Sequence, residues 1–432
     1  METIFLISIV LMLVTLFIGT PVAIALGVSG LVGLYAVFGE NSLIIGAKVF
    51  TDTLNDFILL AIPLYIIMGV ILARGGVGKK LFRLFDAFLR HIPGGIGIAT
   101  ILTCAVLAAM CGTSVAIAAM VGSFAFTDLQ KYGYSLPLSL GIVGAGGALG
   151  ILIPPSVPMI VYGAFSGESV GKLLSAGVIP GIVTVILFTI YVAFAYIRQK
   201  GVKVAKAASW RERWEAFMDG IWALLVPFGI VVPLYTGIAT PTETAAVGIL
   251  WAFIVCMGVY KTIKWRDIIH ILKEGSSSSV MVMFIICGAM LLGNAATQIG
   301  LSHMLTEIFA GSMSGWVFIP ISLLTLLVLG MFLEGASIML ITLPIYLPVL
   351  IMYQFDLIWY AIIMVMAIEI ALLSPPVGLN LFAIHGVAKS LGLPSTQGIV
   401  IQGCWPFMVI YLLSMIFVMA IPQIALLLPG RM

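Results

Sequence analysis

Two stretches of this 432-residue chain carry a proline pair where an apolar helix would otherwise continue. The first reads Gly144-Ala145-Gly146-Gly147-Ala148-Leu149-Gly150-Ile151-Leu152-Ile153-Pro154-Pro155-Ser156, and the second Glu369-Ile370-Ala371-Leu372-Leu373-Ser374-Pro375-Pro376-Val377-Gly378-Leu379-Asn380. A proline pair removes two amide donors and collides with the preceding turn, so each helix must unwind there. Carbonyls freed at membrane depth persist only where protein or a wet cavity satisfies them. They are good ligands for a hard cation such as sodium, while the start of the following half-helix presents amides suited to an anion.

Two small-residue breaks complement the proline pairs. Gly112-Thr113-Ser114 and Gly335-Ala336-Ser337 combine a flexible glycine with small hydroxyls, which allows a ligand close to the backbone. Serine and threonine also glue membrane helices together, so it is their recurrence with the proline pairs that marks them. The expectation is that each tip and its facing break hold one sodium ion. The first ion takes Gly112, Thr113, Ser114, Gly147, Gly150 and Pro154, and the second takes Gly335, Ala336, Ser337, Ser374, Pro375 and Gly378. Substrate lies between them, against Ser114, Pro155, Ser156, Ser337, Pro376 and Asn380.

Three acids fall inside apolar spans, namely Glu243, Glu334 and Glu369, with no Lys or Arg at depth to pair with them. Intramembrane acids are candidates for a coupling role. Each also has a structural alternative: Glu243, in Thr240-Pro241-Thr242-Glu243, is placed to cap a helix, and Glu334 and Glu369 could accept backbone amides. His385 reads as a packed, hydrogen-bonded histidine. There is no phosphate-loop Gly-x-x-x-x-Gly-Lys-Ser/Thr string, and no His, Cys or carboxylate cluster with catalytic-metal spacing. Neither an enzyme nor a nucleic-acid partner is indicated. The five cysteines all lie in apolar segments and read as small buried hydrophobes.

The elements that must position these residues are apolar helices. The chain is 62% hydrophobic and 9% charged, against about 25% charged for soluble domains, so a water-soluble protein of this size is excluded. Hydropathy predicts spans at about 2–19, 21–38, 57–73, 136–166 and 178–197, then about 219–236, 241–260, 276–297, 357–387 and 399–428. The opening Met1–Gly19 stretch lacks the basic flank and cleavage site of a signal peptide and reads as a retained first span. Stretches at about 93–130 and 312–352 are broken by the two tips and read as re-entrant hairpins. With this layout 17 of the 20 Lys and Arg residues fall on one face and 3 on the other, which makes the first face cytoplasmic and puts both termini outside. Lys79–Arg90 reads as an interfacial amphipathic helix bracing the mobile part, and Ser276–Ser279 as the capped start of a span.

Landmarks recur in order. Thr20-Pro21 returns as Thr240-Pro241 at an offset of 220, Gly112-Thr113-Ser114 as Gly335-Ala336-Ser337 at 223, and Pro154-Pro155 as Pro375-Pro376 at 221. Five crossings and one hairpin per half invert the second half relative to the first. Inverted repeats around a midplane site are characteristic of secondary transporters. The reading is an all-α polytopic membrane protein: residues 1–200 form the first repeat, 201–218 a cytoplasmic linker and 219–432 the second repeat.

The chain resembles the large membrane subunit of TRAP transporters, the tripartite ATP-independent periplasmic systems. The resemblance is carried by Gly112-Thr113-Ser114-Val115-Ala116, Leu149-Gly150-Ile151-Leu152-Ile153-Pro154-Pro155-Ser156, Ala239-Thr240-Pro241-Thr242-Glu243-Thr244-Ala245-Ala246 and Ser374-Pro375-Pro376-Val377-Gly378-Leu379-Asn380, spread over nearly the whole chain. It implies an elevator mechanism, with scaffold and transport domains, in the bacterial inner membrane. It implies sodium-driven import of an organic acid, a C4-dicarboxylate or sialic acid among the candidates, delivered by a soluble periplasmic binding protein. A small four-span membrane subunit is expected as a separate polypeptide. Ala336 stands where the first tip has Thr113, so side-chain ligation at the second sodium site is weaker. Within transport the alternative is a stand-alone sodium/anion symporter of the same superfamily. The rival from another class is an ion channel, although channel filters come from identical loops and these tips are unlike.

Overall fold

The apolar blocks fold as helices, with no strand among the residues that the computed structural model describes, 2–199, 205–300 and 314–432. The first half contains α1 (Glu2–Phe17), α2 (Val22–Phe38), α3 (Ser42–Leu54), α4 (Ala61–Arg74), α5 (Val77–Leu89), α6 (Gly95–Cys111), α7 (Ser114–Lys131), α8 (Leu136–Gly147), α9 (Val157–Ser166), α10 (Val170–Ala176) and α11 (Val178–Arg198). The second contains α12 (Trp210–Tyr235), α13 (Pro241–Phe253), α14 (Trp265–Ile299), α15 (Gly315–Gly330), α16 (Gly335–Met352), α17 (Leu357–Leu372), α18 (Leu379–Ser390), α19 (Gln397–Ala420) and the short α20 (Gln423–Leu426).

Burial reverses the soluble pattern. Along α11, Ile182, Ile186, Ile190, Phe194 and Ile197 form an exposed apolar stripe, while Thr184, Phe188, Val192 and Tyr196 face inward. Such a stripe is stable in hydrocarbon, not in water. Seven helices or continuous helical segments among the described residues are long and apolar enough to cross a membrane, and eight if the bent pair α4–α5 is one span.

The proline pairs fall in gaps between helices, at 148–156 and 373–378, and the tips at 112–113 and 331–334. The stretch predicted at 136–166 is two short helices, α8 of 12 residues and α9 of 10, and that at 357–387 is α17 of 16 and α18 of 12. None of the four reaches the roughly 20 residues that cross a bilayer alone. Residues 138–147 of α8 and 359–372 of α17 are buried on every side, so both run through the centre of the molecule. Around them the two halves interlock: α9 packs on α16, and α18 packs on α7.

Three helix starts differ from the hydropathy bounds. Ser276–Ser279 do not open a span; they lie inside the 35-residue α14, which starts at Trp265 after Asp267 accepts the Lys264 amide at 2.8 Å. The Ser279 hydroxyl bonds back to the Gly275 carbonyl at 2.7 Å, so it continues the helix. The predicted linker 201–218 becomes helical from Trp210, because Ser209 caps α12 through the Glu212 amide. The span predicted from 57 begins at Ala61, after a turn in which Asp56 accepts the Ile58 amide at 2.7 Å. Residues 200–204, including Lys200 and Lys203, and 312–313 at the start of the second hairpin lie outside the described residues.

The expected amphipathic helix is α5, bent by 63° from α4. Two of its cations and the Arg90 that follows it are held by α12: Lys80 and Arg83 each meet Asp219 at 3.1 Å, and Arg90 meets Glu212 at 2.7 Å.

Candidate functional site

The first tip forms because Gly112 ends α6 in the left-handed region, φ +65°, which a side chain resists, and Thr113 then runs extended into α7. A β-carbon on Gly112 would lie 2.8 Å from the Pro155 carbonyl oxygen. Gly150 is closer still: a β-carbon there would sit 2.6 Å from the Cα of Ser114. Gly147 packs on the same turn, facing Ala118 and the Ser114 carbonyl. The first tip and the first break are therefore in backbone contact, which brings Gly112, Thr113, Ser114, Gly147, Gly150 and Pro155 together. Pro154 lies beside them in the break, joined to Pro155 by a cis peptide bond, and Pro375-Pro376 is cis as well.

The second tip spans residues 331–334 between α15 and α16, and Gly335, Ala336 and Ser337 open α16, all buried. Among the described residues it is fastened to its break by the Gly378 amide, which donates to the Met331 carbonyl at 2.9 Å. Ser374 is buried and its hydroxyl bonds back to Ile370 at 2.8 Å, within its own helix. The breaks differ in one respect: Pro155 and Ser156 are buried, whereas Pro376 is exposed and Pro375 partly so. The Ser156 hydroxyl caps α9 by accepting the Met159 amide.

The three acids have separate fates. Glu243 is exposed and closes a capping box with Thr240, accepting its amide at 2.8 Å and its hydroxyl at 2.9 Å. That is a structural task at a helix start, away from both tips. Glu334 precedes the second tip helix, with its carboxylate beside the Ala336 and Ser337 amides. Glu369 is fully buried in α17 and reaches the other half of the chain: its Oε1 accepts the Ser114 hydroxyl and, at 3.0 Å, the Ile151 amide.

Sequence reasoning missed Ile151. Its amide is bound to Glu369, and its Cδ1 lies 3.3 Å from where a β-carbon on Gly335 would be, so it stands between the two tips. His385 is half-buried and bonded to Ser395 at 2.9 Å, as its reading as a packed histidine expects.

A hard cation fits this setting. Glu334 Oε2, Glu369 Oε2 and both polar atoms of Asn380 are enclosed without a partner among the described residues, as are the hydroxyls of Tyr162 and Tyr411. The carbonyls of residues 150–155 and 373–377 likewise receive no hydrogen bond from a described residue. Enclosed side-chain oxygens in that state are costly unless something satisfies them. A separate cavity of about 480 Å³ is lined by Asp52, Thr53, Asp56, Asn294 and Thr297 with the ends of α9 and α16. Its lining has two carboxylates and no basic side chain, so its field favours a cation over an anion.

Comparison with known proteins gives a consistent picture. Residues 9–424 match the family described as "Tripartite ATP-independent periplasmic transporter, DctM component". The chain is 36% identical to the C4-dicarboxylate TRAP transporter large permease protein DctM of Pseudomonas aeruginosa, over 94% of each chain. It is 32% identical to the isethionate TRAP transporter permease protein DctMQ of Oleidesulfovibrio alaskensis, over 87% of this chain and 59% of that longer one. Among solved structures, the YdaH transporter of Alcanivorax borkumensis shares the fold, with a TM-score of 0.61 at 13% identity, covering 91% of this chain and 89% of that one.

Proposed function

Because the chain belongs to the DctM component family, as the large permease subunit of a TRAP transporter, we propose that it imports an organic acid across the bacterial inner membrane coupled to sodium. The observation that supports this most is the backbone contact between the first tip and the first break, with enclosed, unpartnered oxygens around both breaks.

In this reading sodium is a co-substrate. Gly112, Thr113, Ser114, Gly147, Gly150 and Pro154 hold one ion, and Gly335, Ala336, Ser337, Ser374, Pro375 and Gly378 hold the other. Ala336 has no hydroxyl, so the second site relies on main-chain oxygens and Ser337. With no Lys or Arg in either tip or break, the bound ions and the starts of α9 and α18 supply the positive potential that an anion requires. Ser114, Pro155, Ser156, Ser337, Pro376 and Asn380 line the substrate position. Asn380 has a fully buried amide with both polar atoms free for a carboxylate or a water.

The order tip pair, then broken helix, occurs once in each half, and the interlocking of α9 with α16 and α18 with α7 supports an inverted repeat. These four helices with their partners then form the moving domain of an elevator, carried past α2, α3, α12, α13 and α14. The 17 cationic side chains of one face set that face in the cytoplasm and both termini outside. A binding protein delivers the acid, and a small four-span subunit completes the membrane part; the isethionate relative, a longer permease, is named DctMQ. Reconstitution of this chain with a four-span subunit, with and without the periplasmic protein, tests the assignment. Uptake is expected only with all three parts. Uptake by this chain alone would replace it with the stand-alone symporter.

A further inference from the structure

We infer that Glu369 is the charged ligand of the first cation site, supplied to the first tip and break by the opposite half of the chain. This rests on the sodium-coupled reading above and deepens it. One carboxylate oxygen, Oε1, is already occupied by the Ser114 hydroxyl and the Ile151 amide, at 3.0 Å for the latter. Those two donors belong to the first tip and the first break, so they fix the carboxylate against the site. The other oxygen, Oε2, is buried and has no partner among the described residues. No Lys or Arg stands in α17, the tips or the breaks.

An isolated carboxylate in such a place is strongly disfavoured unless a cation or a proton joins it. The surroundings are those of a cation site. The Gly150 backbone lies against Ser114, and the carbonyls of residues 150–155 receive no hydrogen bond from a described residue. Hydroxyl, carbonyl and carboxylate oxygens are the donor set of a hard monovalent ion.

The arrangement is not a product of the repeat. At the repeat offset, Ala148 occupies the position of Glu369, and Cys111 that of Glu334. Both acids lie in the second half, yet one serves each tip.

The test uses the purified full chain in detergent, unfolded by heat in sodium chloride or choline chloride at equal ionic strength and pH. A ligand of the native state raises the Tm with its concentration. For the wild type, sodium raises the Tm. For Glu369→Gln the sodium concentration giving half the shift rises at least tenfold. Glu369→Asp, which keeps the charge, retains the full shift at a concentration raised severalfold. A wild-type sodium response in Glu369→Gln overturns the inference and leaves the sodium-coupled reading intact. Equal loss in the Gln and Asp variants also overturns it, because packing rather than charge would then be responsible. No sodium response in the wild type removes the sodium-coupled reading and this inference with it.

Discussion

Ser114 and Glu369 stand 255 residues apart in the chain, and the serine hydroxyl donates a hydrogen bond to the glutamate carboxylate. The bond joins the first tip to the second broken helix. With the Ile151 amide on the same oxygen, it ties one half of the chain to the part of the other half that unwinds. Any movement of the first tip away from its break must act on α17.

Removing one hydroxyl at a time separates the two sites. Ser114→Ala leaves Glu369 Oε1 with a single donor, a loss of about 1–3 kcal/mol for a buried charged acceptor. We expect a lower Tm and a sodium requirement for uptake raised about tenfold, the size of a lost charged hydrogen bond. Ser337→Ala, whose site already has Ala336, should shift the sodium curve without the same loss of Tm. Wild-type sodium dependence in both variants would dismiss the hydroxyls as ligands.

The closeness of the first tip to its break predicts a steric effect. Gly150→Ala puts a methyl group 2.6 Å from the Ser114 backbone, which cannot move aside as a side chain can. The expected cost is about 1–3 kcal/mol, with loss of sodium-dependent stabilisation. Gly386→Ala is the control, since nothing lies within 4 Å of its added carbon. Equal melting curves for the two variants would show that the tip does not rest on the break.

Asp219 holds two cations of α5, Lys80 and Arg83, at 3.1 Å each. Both pairs are substantially exposed, so each contributes at most about 1 kcal/mol. Asp219→Asn should therefore leave the Tm nearly unchanged while amide exchange over residues 77–89 speeds up. High salt should produce the same acceleration in the wild type. Unchanged exchange would show that α5 is held by its apolar packing against α6 and α12, not by these ion pairs.

Much of the site was legible because its signals are local. Pro154-Pro155 and Pro375-Pro376 unwind a helix wherever they stand, and Gly112 and Gly335 mark tips that the fold places against the breaks. The Thr240-Pro241-Thr242-Glu243 string also announced its own capping box. What could not be read is what depends on distant pairing. Nothing in the residues around Glu369 says that it faces Ser114 rather than its own break. Ile151 enters the site through a backbone amide, a group that every residue but proline possesses. The start of α14 was misplaced for the opposite reason: four serines look like a local cap, yet inside a long helix Ser279 satisfies its hydroxyl on Gly275. Asp219, 139 residues from Lys80, gave no sign of holding α5.

The proposed coupling to sodium through the tips and breaks is read most plainly in transport. Its most direct test is uptake of the cognate labelled acid by proteoliposomes holding this chain and its small subunit, with loaded binding protein outside. An inward sodium gradient is compared with an equal potassium gradient and with a proton gradient in choline. Accumulation above the outside concentration is expected with sodium alone, with collapse when sodium is equalised. Equal accumulation with potassium, or with the proton gradient in the absence of sodium, would contradict it.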